Sequence, residues 1–407
     1  MGGVGGRGPV AATRSGSRFR LPGAQPIVRD PDEDHRAATP LELLFDLCFV
    51  VGVAQAAAAY HHELVEGHIA DGLGGFAAGF FAIWWGWMNF TWFSTAHDAD
   101  DVVHRLLTLV QMAGALILAA GVARAVEDGD FGVAVLGYVV MRVGLVAAWL
   151  RVAARHPDGR ARCLRFVGGL VVVQTLWVAF LAVPDDLRWW AFAVLVLADV
   201  TVPLFADRAA DGPPPFHAHH IEERYGLFTI IVLGESILSA TVGFQGAVDE
   251  GGLSLELALV GIGGLVLAFG AWWLYFDHPG HLSPDADVIY RWGYGHVVVF
   301  ASLAALGAGV FVAIEAVAHH AEARTAALAV TGAVAAYLWG IVLLLVLTGR
   351  AFGDIRVWPK LSAGALVLAL GAVASVPVAV VGSAAVMAAL VTWMVTNGAR
   401  PPLEQPL

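Results

Sequence analysis

The chain reads as an all-α polytopic membrane protein of about twelve transmembrane helices, arranged as two parallel six-helix repeats. Three observations carry that expectation. The composition is 58% hydrophobic and only 14% charged, and the apolar runs repeatedly reach the roughly 18 to 20 residues needed to cross a bilayer. The basic residues are lopsided: with the N-terminus inside, the inner segments hold nineteen Arg and Lys residues and the outer loops three, Arg124, Arg188 and Arg324. That asymmetry places both termini in the cytoplasm and requires an even number of spans. Finally, a weak repeat recurs at an offset of 188, bringing Trp84-Trp85 onto Trp272-Trp273, Phe81 onto Phe269 and Glu127 onto Glu315. An offset of six helices keeps the two halves in the same orientation, related by an axis along the membrane normal.

Residues 1–40 are rich in Gly, Arg and Pro and lack an apolar core, so they are expected to form a disordered cytoplasmic tail and not a cleaved signal peptide. The first repeat, 41–206, holds spans 41–60, 73–94, 105–123, 132–150, 164–183 and 187–206. A cytoplasmic inter-repeat loop, 207–225, leads to the second repeat, 226–397, with spans 226–246, 253–276, 291–312, 326–348, 361–379 and 382–397, and a tail at 398–407. Only residues 377–382 separate the last two spans, so a re-entrant hairpin or one broken helix competes with two separate crossings. The two cysteines, Cys48 in an apolar segment and Cys163 in a polar loop, argue against a disulfide or a thiolate zinc site. The net charge is −11 and the arginines lie in loops and tail, which excludes a basic nucleic-acid surface. The expected partners are the lipid bilayer and a small ion or small-molecule substrate, with no nucleic acid and no cofactor. The residues fix neither a metal nor an oligomeric state.

Charge inside a span is costly, about 2.5–3.5 kcal/mol at a helix centre, so Asp46, Arg142, Asp199 and Glu235 are expected to face the bundle interior. One reading is that Arg142 neutralises an acid and pins helix packing; the other is that the surplus carboxylates line a transport path. Glu42 and Asp46 share one helix face by their four-residue spacing, although a macrodipole role near the helix start competes for Glu42. Gln55, Asn89, Gln111, Gln174 and Ser236 could complete a polar lining or make plain interhelical hydrogen bonds. In the repeat register, shifted by one, Asp46 lies opposite Glu235, and the two are expected to share a central cavity in which like charge and desolvation favour a shared proton.

On the cytoplasmic side, His217, His219, His220, Glu222 and Glu223 precede Arg224; the side chains are metal-competent, but their spacing matches no zinc helix and a solvated linker competes. Asp98, Asp100 and Asp101, echoed by Asp285 and Asp287, could hold Mg2+ or Ca2+; the nearby Arg105 and Arg291 favour helix capping and salt bridges. Phe81, Trp84, Trp85, Met88 and Trp92 have helical spacing and read as core or lipid contact.

The strings TPLELLFDLCFVVGVAQ, NFTWFSTAHDADDVVHRLL, MRVGLVAAWLRVAARHP, HHIEERYGLFTIIVLGESIL and WWLYFDHPG followed by RWGYGHVVVFASLAALGAG together resemble the bacterial low-temperature-requirement A family. His97 stands where that family more often has an aromatic. The resemblance implies a bacterial inner-membrane address and a link to cold or stress tolerance, but no substrate. FDLCFVVGVAQ also looks like the first helix of two-repeat lysosomal potassium channels. The leading expectation is a proton- or cation-coupled transporter with a midplane acidic site. The alternatives are a cation channel with two six-helix repeats and an intramembrane metal-dependent enzyme using the Asp loops.

Overall fold

The structure, a computed structural model, describes residues 37–97, 100–208, 216–277, 282–283, 285–319, 322–351, 354 and 356–397. The expectations for the N-terminal tail up to residue 36, for Asp98, for loop residues 209–215 and for 398–407 lie outside the described residues. Among the described residues, twelve α-helices follow one another: α1 (Pro40–Glu66), α2 (Ile69–Ala96), α3 (Val102–Glu127), α4 (Gly132–Arg155), α5 (Arg160–Ala179), α6 (Asp185–Asp207), α7 (Ala218–Gly251), α8 (Leu255–Phe276), α9 (Ala286–His319), α10 (Ala323–Leu347), α11 (Trp358–Val373) and α12 (Val376–Asn397). Ten are long and apolar enough to cross a membrane. The exceptions, α2 and α11, differ for separate reasons.

Helix α2 is long, yet its IWWGWMNFTWFST stretch is rich in Trp, Asn, Thr and Ser. Every residue from Ile83 to His97 is buried, so this half is wrapped by protein and needs no lipid-compatible face. The Trp84, Trp85, Met88 and Trp92 stripe is therefore core. Helix α11 has 16 residues and spans about 24 Å at 1.5 Å per residue. It ends at Val373 and α12 begins at Val376, so the break falls at Ala374-Ser375 instead of within 377–382. Pro377 then occupies the first turn of α12, where a missing N–H costs nothing.

Helix α1 begins with a reciprocal capping box: the Thr39 side chain accepts from the Glu42 amide at 3.2 Å, and the Glu42 carboxylate accepts from the Thr39 amide at 2.8 Å. Pro40 fixes the first helical residue, and Gly67, at φ 86°, closes the helix in the left-handed region. Helix α7 starts eight residues ahead of the expected span, at Ala218, with His217 as its N-cap. Cys163, expected in a loop, is buried in α5, and neither cysteine forms a disulfide among the described residues.

In the first half α1 packs on α2 and α3, α3 on α4, α4 on α5 and α5 on α6. In the second half α7 packs on α8 and α9, α9 on α10, α10 on α11 and α11 on α12, while α12 also lies against α8. The halves meet where α1 packs on α7, α9 and α10, and α2 on α7 and α9. Helices α3 and α4 approach so closely that a Cβ at Gly114 would sit 2.4 Å from the Met141 nitrogen, and one at Gly137 2.2 Å from that of Leu118. Small residues permit this backbone contact, which fixes the face of α4 carrying Tyr138 and Arg142.

Candidate functional site: a buried quartet between the halves

Three helices each present a polar stripe at one-turn spacing to a common point. Glu42 and Asp46 come from α1, His220 and Arg224 from α7, and Trp87, Thr91, Ser94 and Thr95 from α2. None of these eight residues is more than 2% exposed. The Arg224 guanidinium bridges both acids, with Nη1 3.0 Å from Glu42 Oε1 and Nη2 2.5 Å from Asp46 Oδ1. His220 Nε2 lies 3.3 Å from Glu42 Oε1, and its Nδ1 is 2.9 Å from the Thr95 hydroxyl. From α2, Trp87 donates to Asp46 Oδ1 at 2.7 Å and Ser94 to Glu42 Oε1 at 2.7 Å. Arg224 Nη2 also approaches the Thr91 hydroxyl, at 3.4 Å. Asp46 Oδ2 is buried with no hydrogen-bond partner among the described residues.

The register of this quartet is regular. Asp46 and Arg224 are 178 residues apart, and so are Glu42 and His220, and the two N-caps Thr39 and His217. Thr39 accepts from the amide of Glu42, as His217 accepts from the amide of His220 at 3.2 Å. Helices α1 and α7 thus begin alike, one offering two acids and the other two bases at matching positions.

A second buried cluster surrounds Asp199 of α6. Its Oδ1 accepts from Arg142 at 3.0 Å and Trp85 at 2.8 Å; its Oδ2 accepts from Tyr138 at 2.7 Å and Trp177 at 3.1 Å. Arg142 also donates to the Tyr138 hydroxyl at 2.5 Å. One acid meets four donors, one of them a cation, so this carboxylate is balanced and fully hydrogen-bonded.

The remaining sequence candidates separate by position. Asp101 caps α3 through the His104 amide, at 2.9 Å, and holds Arg151 of α4 in a two-pronged ion pair. Burial pushes its carboxyl up, but the Arg151 guanidinium and the His104 N–H outweigh that and hold it below the usual carboxylate range. Asp100 and Arg105 form an exposed pair at 2.7 Å. His219 is exposed, and half-buried Glu223 accepts from the Ala38 amide at 3.2 Å, tying the start of α1 to α7. Among the described residues the loop histidines form no group with metal-ligand spacing; Glu63, Glu66 and His68 do, at the other end of α1. Ser236 donates across to the Leu303 carbonyl at 2.9 Å, a tie between α7 and α9. Gln55, expected in the polar lining, is exposed on the outside of α1.

Glu235 does not join Asp46. Arg224 occupies that place, and Glu235 lies eleven residues further along α7, about 16 Å by helical rise. It is half-buried and has no hydrogen bond or ion pair among the described residues. The sequence reading missed the role of Arg224 as the bridge, and with it Trp87, Thr91, Ser94, Thr95 and the neutral donors Trp85, Tyr138 and Trp177 around Asp199. The shared four-residue spacing of Glu42/Asp46 and His220/Arg224 was the available signal.

A bundle of twelve helices, ten of them apolar enough to span a bilayer, with paired charges sealed between its halves, defines a multi-pass membrane protein. Residues 37–399 match the family described as bacterial low temperature requirement A protein (LtrA), and the chain belongs to that family. It is also 25% identical over 289 residues to an uncharacterized protein of Rhizobium meliloti (strain 1021), covering 67% of this chain and 68% of that relative.

Proposed function

We propose that this protein is a proton-coupled transporter of the bacterial inner membrane, with both termini cytoplasmic, and that the α1–α2–α7 quartet is its proton site. The observation that carries this reading is the charge balance of the quartet: two carboxylates share one guanidinium and one imidazole at no more than 2% exposure. With the imidazole neutral and both acids ionised the site holds one net negative charge, which a dry interior disfavours. One added proton, on His220 or a carboxylate, makes it neutral. Because α1 and α7 stand in different halves, moving the halves apart breaks the Arg224 bridge and opens the acids to water, where the proton leaves. The two six-helix repeats, 41–206 and 226–397, supply such halves; the recurrence of packing neighbours six helices on and the matching starts of α1 and α7 support them. A role in growth at low temperature is proposed from the family description alone.

Glu42→Gln tests the reading. It removes the surplus charge, while the amide oxygen still accepts from the Thr39 amide and keeps the capping box. In proteoliposomes loaded with a pH dye, the wild-type protein is expected to move protons under imposed Na+ or K+ gradients, and the variant is expected to lose that movement while staying folded. Proton movement at the wild-type rate in Glu42→Gln overturns the assignment of the site.

A further inference from the structure

Arg142 leaves part of its guanidinium unused. Nη2 serves Tyr138 and Asp199, while Nη1 is buried without a hydrogen-bond partner among the described residues. Both amide atoms of Gln174, on the adjacent α5, are buried and unpartnered as well. These two side chains line a single groove of about 450 Å³ between α4 and α5, walled by Val143, Val146, Leu170 and Val171. The groove opens on the side of the bundle: Val143 and Val171 are 60% and 50% exposed. In a membrane that side faces lipid.

Acyl chains fill such a groove but satisfy none of its polar atoms, and each unsatisfied buried group costs about 1–3 kcal/mol. Depth narrows the occupant. Arg142 stands ten residues from Gly132 and thirteen from Arg155, about 15 and 20 Å along α4, so it sits near mid-helix. Phospholipid headgroups and ester carbonyls lie at the edges of a hydrocarbon core about 30 Å thick and do not reach that level. Charge narrows it further. Asp199 already balances Arg142, so an anion would bring an uncompensated charge, whereas a neutral carbonyl accepts from Nη1 at no such cost. Gln174 adds one more donor and one acceptor beside it. A neutral, carbonyl-bearing ring on an apolar tail that resides in the bilayer interior meets all three requirements. The geometry points to a lateral binding site for an isoprenoid quinone, with a ring carbonyl accepting from Arg142 Nη1 and the Gln174 amide. The reduced form also fits, because its hydroxyl can donate to the Gln174 carbonyl oxygen.

The test uses the full-length protein in phosphatidylethanolamine and phosphatidylglycerol nanodiscs, with a diazirine-bearing ubiquinone analogue as probe and decylubiquinone as competitor. Crosslinks are mapped by mass spectrometry, and thermal unfolding checks that each variant is folded. Labelling is expected on α4 and α5 peptides and should saturate and be competed. Gln174→Leu removes the amide without touching Asp199 and should weaken competition by about 5–10-fold, the value of one hydrogen bond. Val143→Trp, which fills the groove, should abolish the α4–α5 label. Label spread over lipid-facing helices and indifferent to both substitutions would show that the probe only dissolves in the bilayer. Equal labelling of the groove by a phospholipid diazirine probe, with the same sensitivity to Gln174→Leu, would assign it to ordinary lipid. Either result overturns the proposal.

Discussion

The Asp199 cluster and the α1–α7 quartet are both dry and both built around an arginine, yet they are finished differently. Asp199 is met by one guanidinium and by the donors of Trp85, Tyr138 and Trp177, so its charge and its lone pairs are accounted for. The quartet sets two acids against one guanidinium, and Asp46 keeps an oxygen without a hydrogen bond among the described residues. The first cluster also lies within one half of the bundle, on α2, α4, α5 and α6, whereas the second joins the halves. A balanced cluster within one half holds helices together. Under the proposed function, an unbalanced one at the seam takes up or releases a proton as its walls move.

The largest expected effect breaks the balanced cluster. Asp199→Leu leaves Arg142 buried without a counter-charge and strands the Trp85 and Trp177 donors, so it should cost about 3–5 kcal/mol, the range for breaking one side of a buried pair. Thermal unfolding in detergent, followed by fluorescence-detected gel filtration, measures it. Glu42→Gln in the quartet should cost less, about 1–3 kcal/mol in the same assay, because Arg224 keeps Asp46 as its counter-charge and only the acceptor facing Ser94 and Arg224 is lost. Equal losses at the two sites would erase the distinction between them.

Next comes the bridge. Arg224→Leu should destabilise by about 3–5 kcal/mol, since it leaves Glu42 and Asp46 side by side on α1 with no guanidinium opposite them at the dry seam. Adding Asp46→Leu should restore at least half of that, and a double-mutant cycle on unfolding temperature reads the coupling. Additive losses would mean that Arg224 acts through packing and not through Asp46.

How far these clusters can be read from sequence depends on what hydropathy measures. The spans of α3, α4 and α8 were legible to within a few residues because lipid-facing stretches are continuous and apolar. The start of α7 was not: HHIEERYG carries His, Glu and Arg, reads as a loop, and hides two buried turns whose charges are paired with α1. The depth of α2 was obscured in the same way, since a helix wrapped in protein can afford Trp, Asn and Thr. Asp46 and Arg142 were recognisable as interior charges from their apolar neighbours. The partner of Asp46 was not, because pairing across 178 residues leaves no local periodicity. The 188-residue register, drawn from Trp and Phe matches, put Glu235 opposite Asp46; the helix starts put Arg224 there.

A smaller effect is expected at the end of α2. His97 is buried between Phe93 and Trp149, and burial, aided by the Arg162 charge, lowers its pKa to about 3. The folded protein therefore holds this imidazole neutral at a pH where the unfolded chain, titrating near 6.5, has taken up a proton. With the folded value depressed, its contribution is complete above the unfolded pKa and is lost as pH falls from about 6.5 toward 3, amounting to about 2 kcal/mol by pH 5. His97→Phe should flatten the decline of unfolding temperature between pH 7 and pH 5 by that amount, without altering the response of the quartet variants. An unchanged slope would place the acid sensitivity elsewhere.

The smallest effect is expected at Glu235, and it decides between two readings of the same helix. If symmetry in the 188-residue register set the function, Glu235 would be the partner of Asp46, and removing its charge would abolish coupling. In the structure it stands about 16 Å along α7 from the residue that does meet Asp46, half-buried and unpaired among the described residues. A partly exposed carboxylate without partners contributes little to folding, so Glu235→Gln should change stability by no more than about 0.5 kcal/mol. It should also leave gradient-driven proton movement intact under conditions where Glu42→Gln loses it. Measuring both variants in one proteoliposome preparation makes the comparison internal. Loss of movement in Glu235→Gln with Glu42→Gln unaffected would transfer the proton site along α7, away from the seam and into the second half of the bundle.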